Sequence, residues 1–327
     1  MQYRDLEGTD LTVSRAALGT MPFGSQTDEE TSLRMIEQAI EGGVNFIDTA
    51  NVYSAGRSEE IVGKAIRSRR DEIVLATKVR NPMGEDPELT GLSRKAIRRA
   101  LDDSLRRLGV SHVDLYYLHQ PDYEVAIEES LEAMDEAVRA GKVRYPASSN
   151  YAAWQVVEMF SIAGREGYLP ARLTQPMYNL LARSLEAEYL PMAERMGVST
   201  IVYNPLAGGL LTGKQSRETP LPGSRFDRST HRLGDQYLDR YWYEAIFDAV
   251  EELRSLAERC GRSLIALALG WLLHHTPADC VILGASRPEQ LAENLAALDA
   301  GKLPADALEA CDAVWRSLHG VTPAYNR

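Results

Sequence analysis

Short apolar runs alternate along this chain with longer stretches in which apolar residues return every three or four positions. The short runs are Ala16-Ala17-Leu18-Gly19-Thr20, Val44-Asn45-Phe46-Ile47, Ile73-Val74-Leu75-Ala76-Thr77 and Val113-Asp114-Leu115-Tyr116-Tyr117-Leu118. Further runs cover 143–148, a segment near Leu173, Thr200-Ile201-Val202-Tyr203 and 280–283. Their length and lack of polar alternation predict strands buried on both faces. Between them, Leu33, Ile36 and Ile40 fall at helical spacing, as do Ile61, Val62, Ala65 and Ile66, then Ile97, Leu101, Leu105 and Leu108, then Ile127, Leu131, Met134 and Val138. Helices are predicted as well over 152–166, 185–196, 245–259 and 264–274, and around Leu291, Leu295 and Leu298. Punctuation agrees with period. Thr27 or Asp28, Ser58, Ser93 and Ser286 stand where N-caps belong, with Pro288 at a first helical turn, while Gly42-Gly43, Gly109, Gly141 and Gly197 stand where helices end.

A strand-plus-helix unit recurring at roughly thirty residues is the signature of a parallel sheet, and about eight such units favour closure. The predicted fold class is α/β, a (β/α)8 TIM barrel forming one domain over 1–327. Tyr3, Leu6, Leu11 and Val13 around the turn Glu7-Gly8-Thr9-Asp10 predict an N-terminal β-hairpin, and 308–318 predicts an extra C-terminal helix before a polar, aromatic tail. The regularity breaks between Leu206 and Tyr241, where Gly, Pro, Arg and Asp predict an inserted loop.

Composition narrows the class. The formal net charge is −11 and the pI about 5.2, which disfavours nucleic-acid partners. The longest apolar run, Leu264 to Leu273, is too short for a bilayer, and the first residues lack the basic and apolar regions of a signal peptide, so a cytoplasmic protein is expected. Three cysteines, Cys260, Cys280 and Cys311, include no CxxC pair and support neither a disulfide framework nor a zinc ribbon. His274-His275 has no ligand-spaced partner, so no metal is expected.

The candidate chemistry sits where the predicted strands end. Asp48, Lys78 and His119 each terminate a strand, and Tyr53 lies five residues beyond Asp48 in the following loop. Closure of a barrel gathers such positions around one pocket. Tyrosine is a weak acid near neutral pH, but an adjacent ammonium favours the phenolate, and a carboxylate paired with the lysine holds that ammonium in place. The quartet therefore suits proton donation to a developing alkoxide. Singly, each residue has a plainer reading: a helix-capping Asp, a solvated Lys, a core Tyr or His.

These residues carry a resemblance to the aldo-keto reductases over nearly the whole chain. Gly43-Val44-Asn45-Phe46-Ile47-Asp48-Thr49-Ala50 through Tyr53 and Ser58-Glu59-Glu60 resembles the family's first signature. Leu75-Ala76-Thr77-Lys78 and Asp114-Leu115-Tyr116-Tyr117-Leu118-His119 resemble its lysine and histidine segments. The resemblance implies reduction of an aldehyde or ketone, a sugar or a small reactive carbonyl, with Tyr53 as general acid, Lys78 and Asp48 tuning it and His119 orienting the carbonyl. It also implies NADPH as cofactor. Gly19, Thr20 and Asp48 would be among the residues that bind it, with Ser149 and Asn150 at the carboxamide, Gln175 beside them and Tyr203 stacking on the nicotinamide. Leu206, Gly208, Leu210, Gly213 and Lys214 would follow the pyrophosphate, with Gly284, Ser286, Arg287, Gln290, Glu293 and Asn294 around the adenosine phosphate. Physics supports part of this independently. Glycine-rich backbone and a helix N-terminus suit phosphate, an arginine beside it suits a 2′-phosphate, and no Gly-x-Gly-x-x-Gly follows an early strand, so a Rossmann domain is not expected.

Two departures from the family pattern stand out, Pro146-Ala147-Ser148 and Asn204. A rival comes from the branch that Tyr203-Asn204-Pro205-Leu206-Ala207-Gly208-Gly209-Leu210-Leu211-Thr212-Gly213-Lys214 most resembles, which includes potassium-channel β subunits: an NADPH-binding regulatory or redox-sensing subunit with little turnover. The same stretch nearly spells a P-loop, but Gln215 replaces the Ser or Thr that holds Mg²⁺. Arg94, Lys95, Arg98, Arg99, Arg106 and Arg107 spread over one predicted helix and read as a solvated face. Phe23, 81–90, Tyr123 and 216–239 are the segments expected to shape a substrate pocket, and they carry no legible preference.

Overall fold

The structure is a computed structural model that describes residues 1–84, 86–229 and 233–320. The predicted polar, aromatic tail beyond 320 lies outside the described residues. Ten strands and eleven helices are described. Strands β1 (Tyr3–Asp5) and β2 (Thr12–Ser14) pair antiparallel as the expected hairpin. The next eight strands are all parallel: β3 (Ala16–Gly19), β4 (Phe46–Asp48), β5 (Val74–Val79), β6 (Val113–Leu118), β7 (Val143–Ser149), β8 (Leu173–Gln175), β9 (Ser199–Val202) and β10 (Cys280–Gly284). They follow sequence order around a closed barrel in which β10 pairs with β3, Gly284 opposite Gly19. This is a (β/α)8 TIM barrel. Its helices are α1 (Glu29–Glu41), α2 (Arg57–Ile66), α3 (Arg94–Leu108), α4 (Ile127–Arg139), α5 (Ala153–Glu166), α6 (Tyr189–Met196), α7 (Gly234–Tyr241), α8 (Glu244–Arg259), α9 (Leu264–His275), α10 (Pro288–Ala297) and α11 (Ala305–His319).

The described chain clusters into two compact units. One comprises Met1–Pro176, Leu185–Tyr203 and Ala278–Leu295 and contains every barrel strand; the other comprises Met177–Ser184, Asn204–Pro277 and the segment from Ala296. In the second unit α8 packs against α9 and α11. In the first, one apolar cluster fills the layer between strands and helices, with Ile36, Ile47, Ile61, Leu75, Ile97, Leu101 and Tyr116 among its members. A second cluster fills the barrel interior, where Leu6, Leu11 and Val13 of the hairpin join Ala17, Phe46, Ala76, Leu115, Tyr117, Leu173 and Ile201. The hairpin thus stoppers the end of the barrel at which the strands begin, and Glu7 N–H donating to Ser199 Oγ at 2.8 Å fixes it there. Polar chemistry is left to the other end, where barrel enzymes carry their active sites.

Several boundaries follow the expected caps. Asp28 accepts from Thr31 N at the start of α1, Ser93 accepts from Ala96 N at the start of α3, and Gly109 ends α3 in the left-handed region at φ 66°. Three expectations change. Ser58 is not the N-cap of α2, because a short 3-10 turn over Tyr53–Gly56 runs directly into the helix and Gly56, at φ 92°, takes that position. Ser58 is instead fully buried and donates to Thr20, binding the first turn of α2 to the end of β3. The segment predicted as helix from 185 begins with a 3-10 turn at Ser184–Glu186, so α6 starts at Tyr189. The stretch from Leu206 to Tyr241 is more than a loop, since it holds a 3-10 run over Ala207–Thr212 and helix α7.

Candidate active site

Barrel register places the quartet. Asp48 ends β4 and Lys78 lies one residue before the end of β5, with Asp48 opposite Ala76; Lys78 in turn pairs with Tyr117, two residues before His119. Lys78 is fully buried, which opposes its charge. Its ammonium is satisfied all the same: Nζ donates to Asp48 Oδ1 at 2.5 Å, to the Thr49 carbonyl at 2.7 Å and to the Tyr53 hydroxyl at 3.4 Å. Burial is the largest influence on Lys78 and pulls its proton affinity down, but the Asp48 charge, Tyr53 and the hydrogen bonds to both outweigh it together. The lysine therefore stays protonated, its pKa above the ordinary value. Asp48 is pinned from its other oxygen, since Gln175 Nε2 donates to Oδ2 at 2.8 Å.

Two tyrosines approach the ammonium, with ring centroids 5.0 Å away for Tyr53 and 5.9 Å for Tyr117. They are not equivalent. Tyr117 is fully buried inside the barrel, and burial first, then the Asp48 charge, push its pKa well above the ordinary phenol value. Tyr53 keeps partial solvent access on the loop after β4.

His119 meets Tyr53 edge-on, the ring centroids 6.1 Å apart. Burial of the imidazole, then the charges of Lys78 and Arg80, hold its pKa well below the ordinary value, so the ring is neutral. Asn81 Nδ2 lies 3.2 Å from His119 Nδ1, and Asn81 Oδ1 accepts from Gln120 Nε2 at 3.1 Å. With the amide turned this way, Asn81 donates to Nδ1 and the proton of the neutral ring resides on Nε2. The side chain is thus set to donate one hydrogen bond.

The quartet continues into part of the expected cofactor set. Ser149 Oγ donates to the Gln175 carbonyl at 2.8 Å, Asn150 Nδ2 donates to Ser149 Oγ and to the His119 carbonyl, and Tyr203 Oη donates to Asn150 Oδ1 at 2.7 Å. Asn150 adopts φ 63°, a conformation that asparagine tolerates better than most residues. Thr20 bonds the Asp48 carbonyl through both its N–H and its hydroxyl, and Gly19 lies opposite Asp48 in the ladder. These residues present amide and hydroxyl groups beside one aromatic ring, a donor set that fits a nicotinamide carboxamide. Gly284, Ser286, Arg287, Gln290, Glu293 and Asn294 form a separate group at the β10–α10 turn. There Ser286 N and Oγ donate to Gln290 Oε1, Asn294 Nδ2 donates to the Gly284 carbonyl, and Arg287 is exposed immediately before Pro288 opens α10. A cationic side chain at a helix start suits a phosphate.

Leu206, Gly208, Leu210, Gly213 and Lys214 belong to the second unit. Gly208 and Gly209 have φ 68° and 106°, and a Cβ on Gly208 would meet the Tyr237 ring at 2.7 Å. The departure at Asn204 has a local role: at φ 61° its Oδ1 accepts from Gly208 N at 2.6 Å. This stretch is a kinked 3-10 run and not the helix start of a P-loop. His275, in the last turn of α9, accepts from Leu303 N through Nε2 at 2.8 Å, a structural role. No metal-binding cluster occurs among the described residues.

Sequence reading missed Thr49, whose contribution is a backbone carbonyl, and the roles of Asn81 and Gln120, whose only signal was proximity to strand ends. It also misplaced Arg107, which is not part of a solvated face. Its Nε donates to the fully buried Glu59 at 2.7 Å.

Comparison with known proteins agrees with this geometry. Residues 15–316 match the model of the Aldo/keto reductase family. The chain is 37% identical over 298 residues to the aldo-keto reductase YhdN of Bacillus subtilis, covering 89% of this chain and 87% of that one. It is 35% identical over 325 residues to aflatoxin B1 aldehyde reductase member 2 of Rattus norvegicus, covering 95% and 87%. It is also 35% identical over 304 residues to a probable voltage-gated potassium channel subunit beta of Oryza sativa, covering 91% and 92%. With a parallel barrel, a buried lysine–aspartate pair against an accessible tyrosine, and a family match across nearly its whole length, the chain belongs to the aldo/keto reductase family.

Proposed function

We propose that the protein reduces an aldehyde or ketone, a sugar or a small reactive carbonyl, to the alcohol with NADPH, Tyr53 acting as general acid. The family makes the protein a carbonyl oxidoreductase that uses a nicotinamide dinucleotide. The observation that carries the finer reading is the placement of Lys78 Nζ, held by Asp48 Oδ1 and the Thr49 carbonyl with its remaining bond to the Tyr53 hydroxyl. An ammonium fixed against a phenol oxygen stabilises the negative charge that develops there as the proton leaves. Tyr53 hands that proton to the carbonyl oxygen, and the Nε2–H of neutral His119 donates to the same oxygen and orients it. Ser149, Asn150 and Gln175 would hold the carboxamide, with Tyr203 against the ring. Arg287 at the start of α10 is the feature that favours NADPH over NADH. When bound, the dinucleotide supplies the hydride, which no side chain can. We also place the protein in the cytoplasm, where its free thiols Cys260, Cys280 and Cys311 would persist.

The test is NADPH oxidation, followed by ultraviolet absorbance with a panel of aldehydes, in wild type and Tyr53→Phe, repeated with NADH. Loss of the acid is expected to lower kcat by about 10²–10⁴-fold. NADPH binding, read by fluorescence, should survive in the variant. A wild type that binds NADPH and turns over no aldehyde or ketone would sink this reading in favour of a cofactor-sensing subunit.

A further inference from the structure

Tyr53 opens a turn with a costly backbone. Ser54 at φ 49°, ψ 39° and Ala55 at φ 53°, ψ 41° are both left-handed, and Gly56 follows at φ 92°. Glycine takes such angles freely, but a residue with a Cβ is disfavoured there by roughly tenfold, through its clash with the following carbonyl. Two in succession, directly after the residue assigned as the acid, persist only where the surroundings hold them. Bonds within the turn do not supply that hold. Tyr53 N–H donates to the Ala50 carbonyl at 3.1 Å and Ala55 N–H to the Val52 carbonyl at 3.2 Å, local contacts that move with the loop.

A hold from outside comes through Ser54, whose Oγ donates to the Phe23 carbonyl at 2.7 Å. That acceptor is itself fixed. Phe23 is fully buried and its N–H donates to the Thr20 carbonyl at 3.0 Å. In the same loop Gly24 N–H donates to the Thr27 carbonyl at 2.8 Å, Thr27 N–H to the Pro22 carbonyl at 3.0 Å, and Thr27 Oγ1 to the Ser286 carbonyl at 2.9 Å. On the far side of the strained pair, Ser58 Oγ donates to the Thr20 carbonyl at 2.9 Å. The loop after Tyr53 is thus docked on one segment, Thr20 to Phe23, from both sides of Ala55. Little tolerance is available at the phenol: the Tyr53 hydroxyl stands 3.4 Å from Lys78 Nζ, and an outward shift of about 0.5 Å puts it beyond hydrogen-bond reach.

We infer that Ser54 is a positioning residue for Tyr53: its bond to the Phe23 carbonyl holds the left-handed turn that keeps the phenol against the Lys78 ammonium. The inference deepens the carbonyl-reductase reading and rests on it for its kinetic consequence. Without the bond, the cost at Ser54 and Ala55 is no longer offset from outside the turn. The backbone then relaxes toward right-handed angles and carries the phenol away from the ammonium.

The experiment titrates the Tyr53 phenol by ultraviolet difference spectroscopy, each protein minus its Tyr53→Phe counterpart, in wild type, Ser54→Ala and Ser54→Gly. An adjacent ammonium favours phenolate, so losing the contact raises the midpoint. Ser54→Ala is expected to raise it by up to about one pH unit, the tenfold worth of a hydrogen bond. Ser54→Gly also lacks the hydroxyl, but it places no Cβ in the left-handed region, so its midpoint should move less. With NADPH and an aldehyde, Ser54→Ala should lower kcat by about tenfold and leave NADPH affinity unchanged, and Ser54→Gly should lower kcat by less. An unmoved phenol midpoint in Ser54→Ala, on protein shown to be folded by its urea transition, would overturn the proposal. So would a shift in Ser54→Gly as large as that in Ser54→Ala, because the turn would then owe nothing to backbone strain. If wild type reduces no carbonyl, the reductase reading falls with the kinetic comparison, while the phenol titration still decides the role of Ser54.

Discussion

His119 shows how a single side chain takes its state from its neighbours. Burial, Lys78 and Arg80 all disfavour the imidazolium, so the folded protein binds this proton less readily than the unfolded chain does. Stability must then fall as pH drops below the ordinary imidazole value of about 6.5, because the unfolded state gains the proton first. Above that value both states are neutral and the residue contributes nothing to the pH dependence. One pH unit below it, the loss reaches about 1.4 kcal/mol if the folded imidazole stays unprotonated. Urea unfolding of wild type and His119→Asn on either side of this value isolates the effect, since asparagine cannot titrate. A wild-type minus variant difference that does not change with pH would show that the imidazole is not held neutral. At this scale the quartet was legible, since Asp48, Lys78 and His119 close apolar runs and Tyr53 follows at a fixed offset. The left-handed backbone of Arg80, at φ 140°, was not, because nothing in composition or period announces it. The lysine's third anchor was equally hidden: the Thr49 carbonyl exists in every sequence.

The elements that carry Tyr53 and Lys78 are tied together by a buried ion pair between helices. Glu59, in the first turn of α2, accepts from Arg107 Nε of α3 at 2.7 Å and from Thr77 Oγ1 of β5 at 2.5 Å, and Thr77 is the residue before Lys78. The carboxylate is fully buried while the Arg107 side chain is 19% exposed, so removing Glu59 strands a cation that is largely withdrawn from water. Breaking such a pair from one side costs about 3–5 kcal/mol, and partial exposure of the arginine places Glu59→Gln at the lower end. Removing both charges as Glu59→Gln/Arg107→Met should recover part of the loss, giving a favourable coupling in a double-mutant cycle by urea denaturation. Additive costs would mean that the two charges do not stabilise each other. Sequence could not show this pairing. Glu59 reads as a helix-dipole acid and Arg107 as one of six cations on a helix, and only the packing of α2 on α3 brings them together. The same limit explains Ser58, whose hydroxyl was free to bind Thr20 because Gly56 had already begun the helix.

Across the barrel as a whole, closure depends on a seam that adjacent-strand reading does not reveal. The number, order and type of the strands followed from apolar runs separated by amphipathic stretches, and each boundary lay within a few residues of its predicted place. Helix α7 was hidden in a polar stretch, since its buried face rests on Gly234, Tyr237 and Tyr241 and not on an aliphatic repeat. At the seam β3 meets β10, separated by most of the sequence, and Gly19 lies opposite Gly284. A Cβ on Gly19 would stand 2.7 Å from Ile282 Cγ2, closer than packed atoms tolerate, with the Leu283 carbonyl in contact at 3.4 Å, so the two strands must separate or Ile282 must leave its rotamer. Gly19→Ala is therefore expected to destabilise by about 1–3 kcal/mol, the cost of overpacking a core. Gly164, inside α5, provides the opposite case: a Cβ there meets nothing within 4 Å, and alanine is a better helix former. Gly164→Ala should stabilise by about 0.4–1 kcal/mol. Denaturant midpoints at constant slope read both changes. Opposite signs from one chemical substitution would place the glycine requirement at the closure of the first strand onto the last. A neutral Gly19→Ala would show that the seam has room to spare, and that closure is held by the backbone ladder alone.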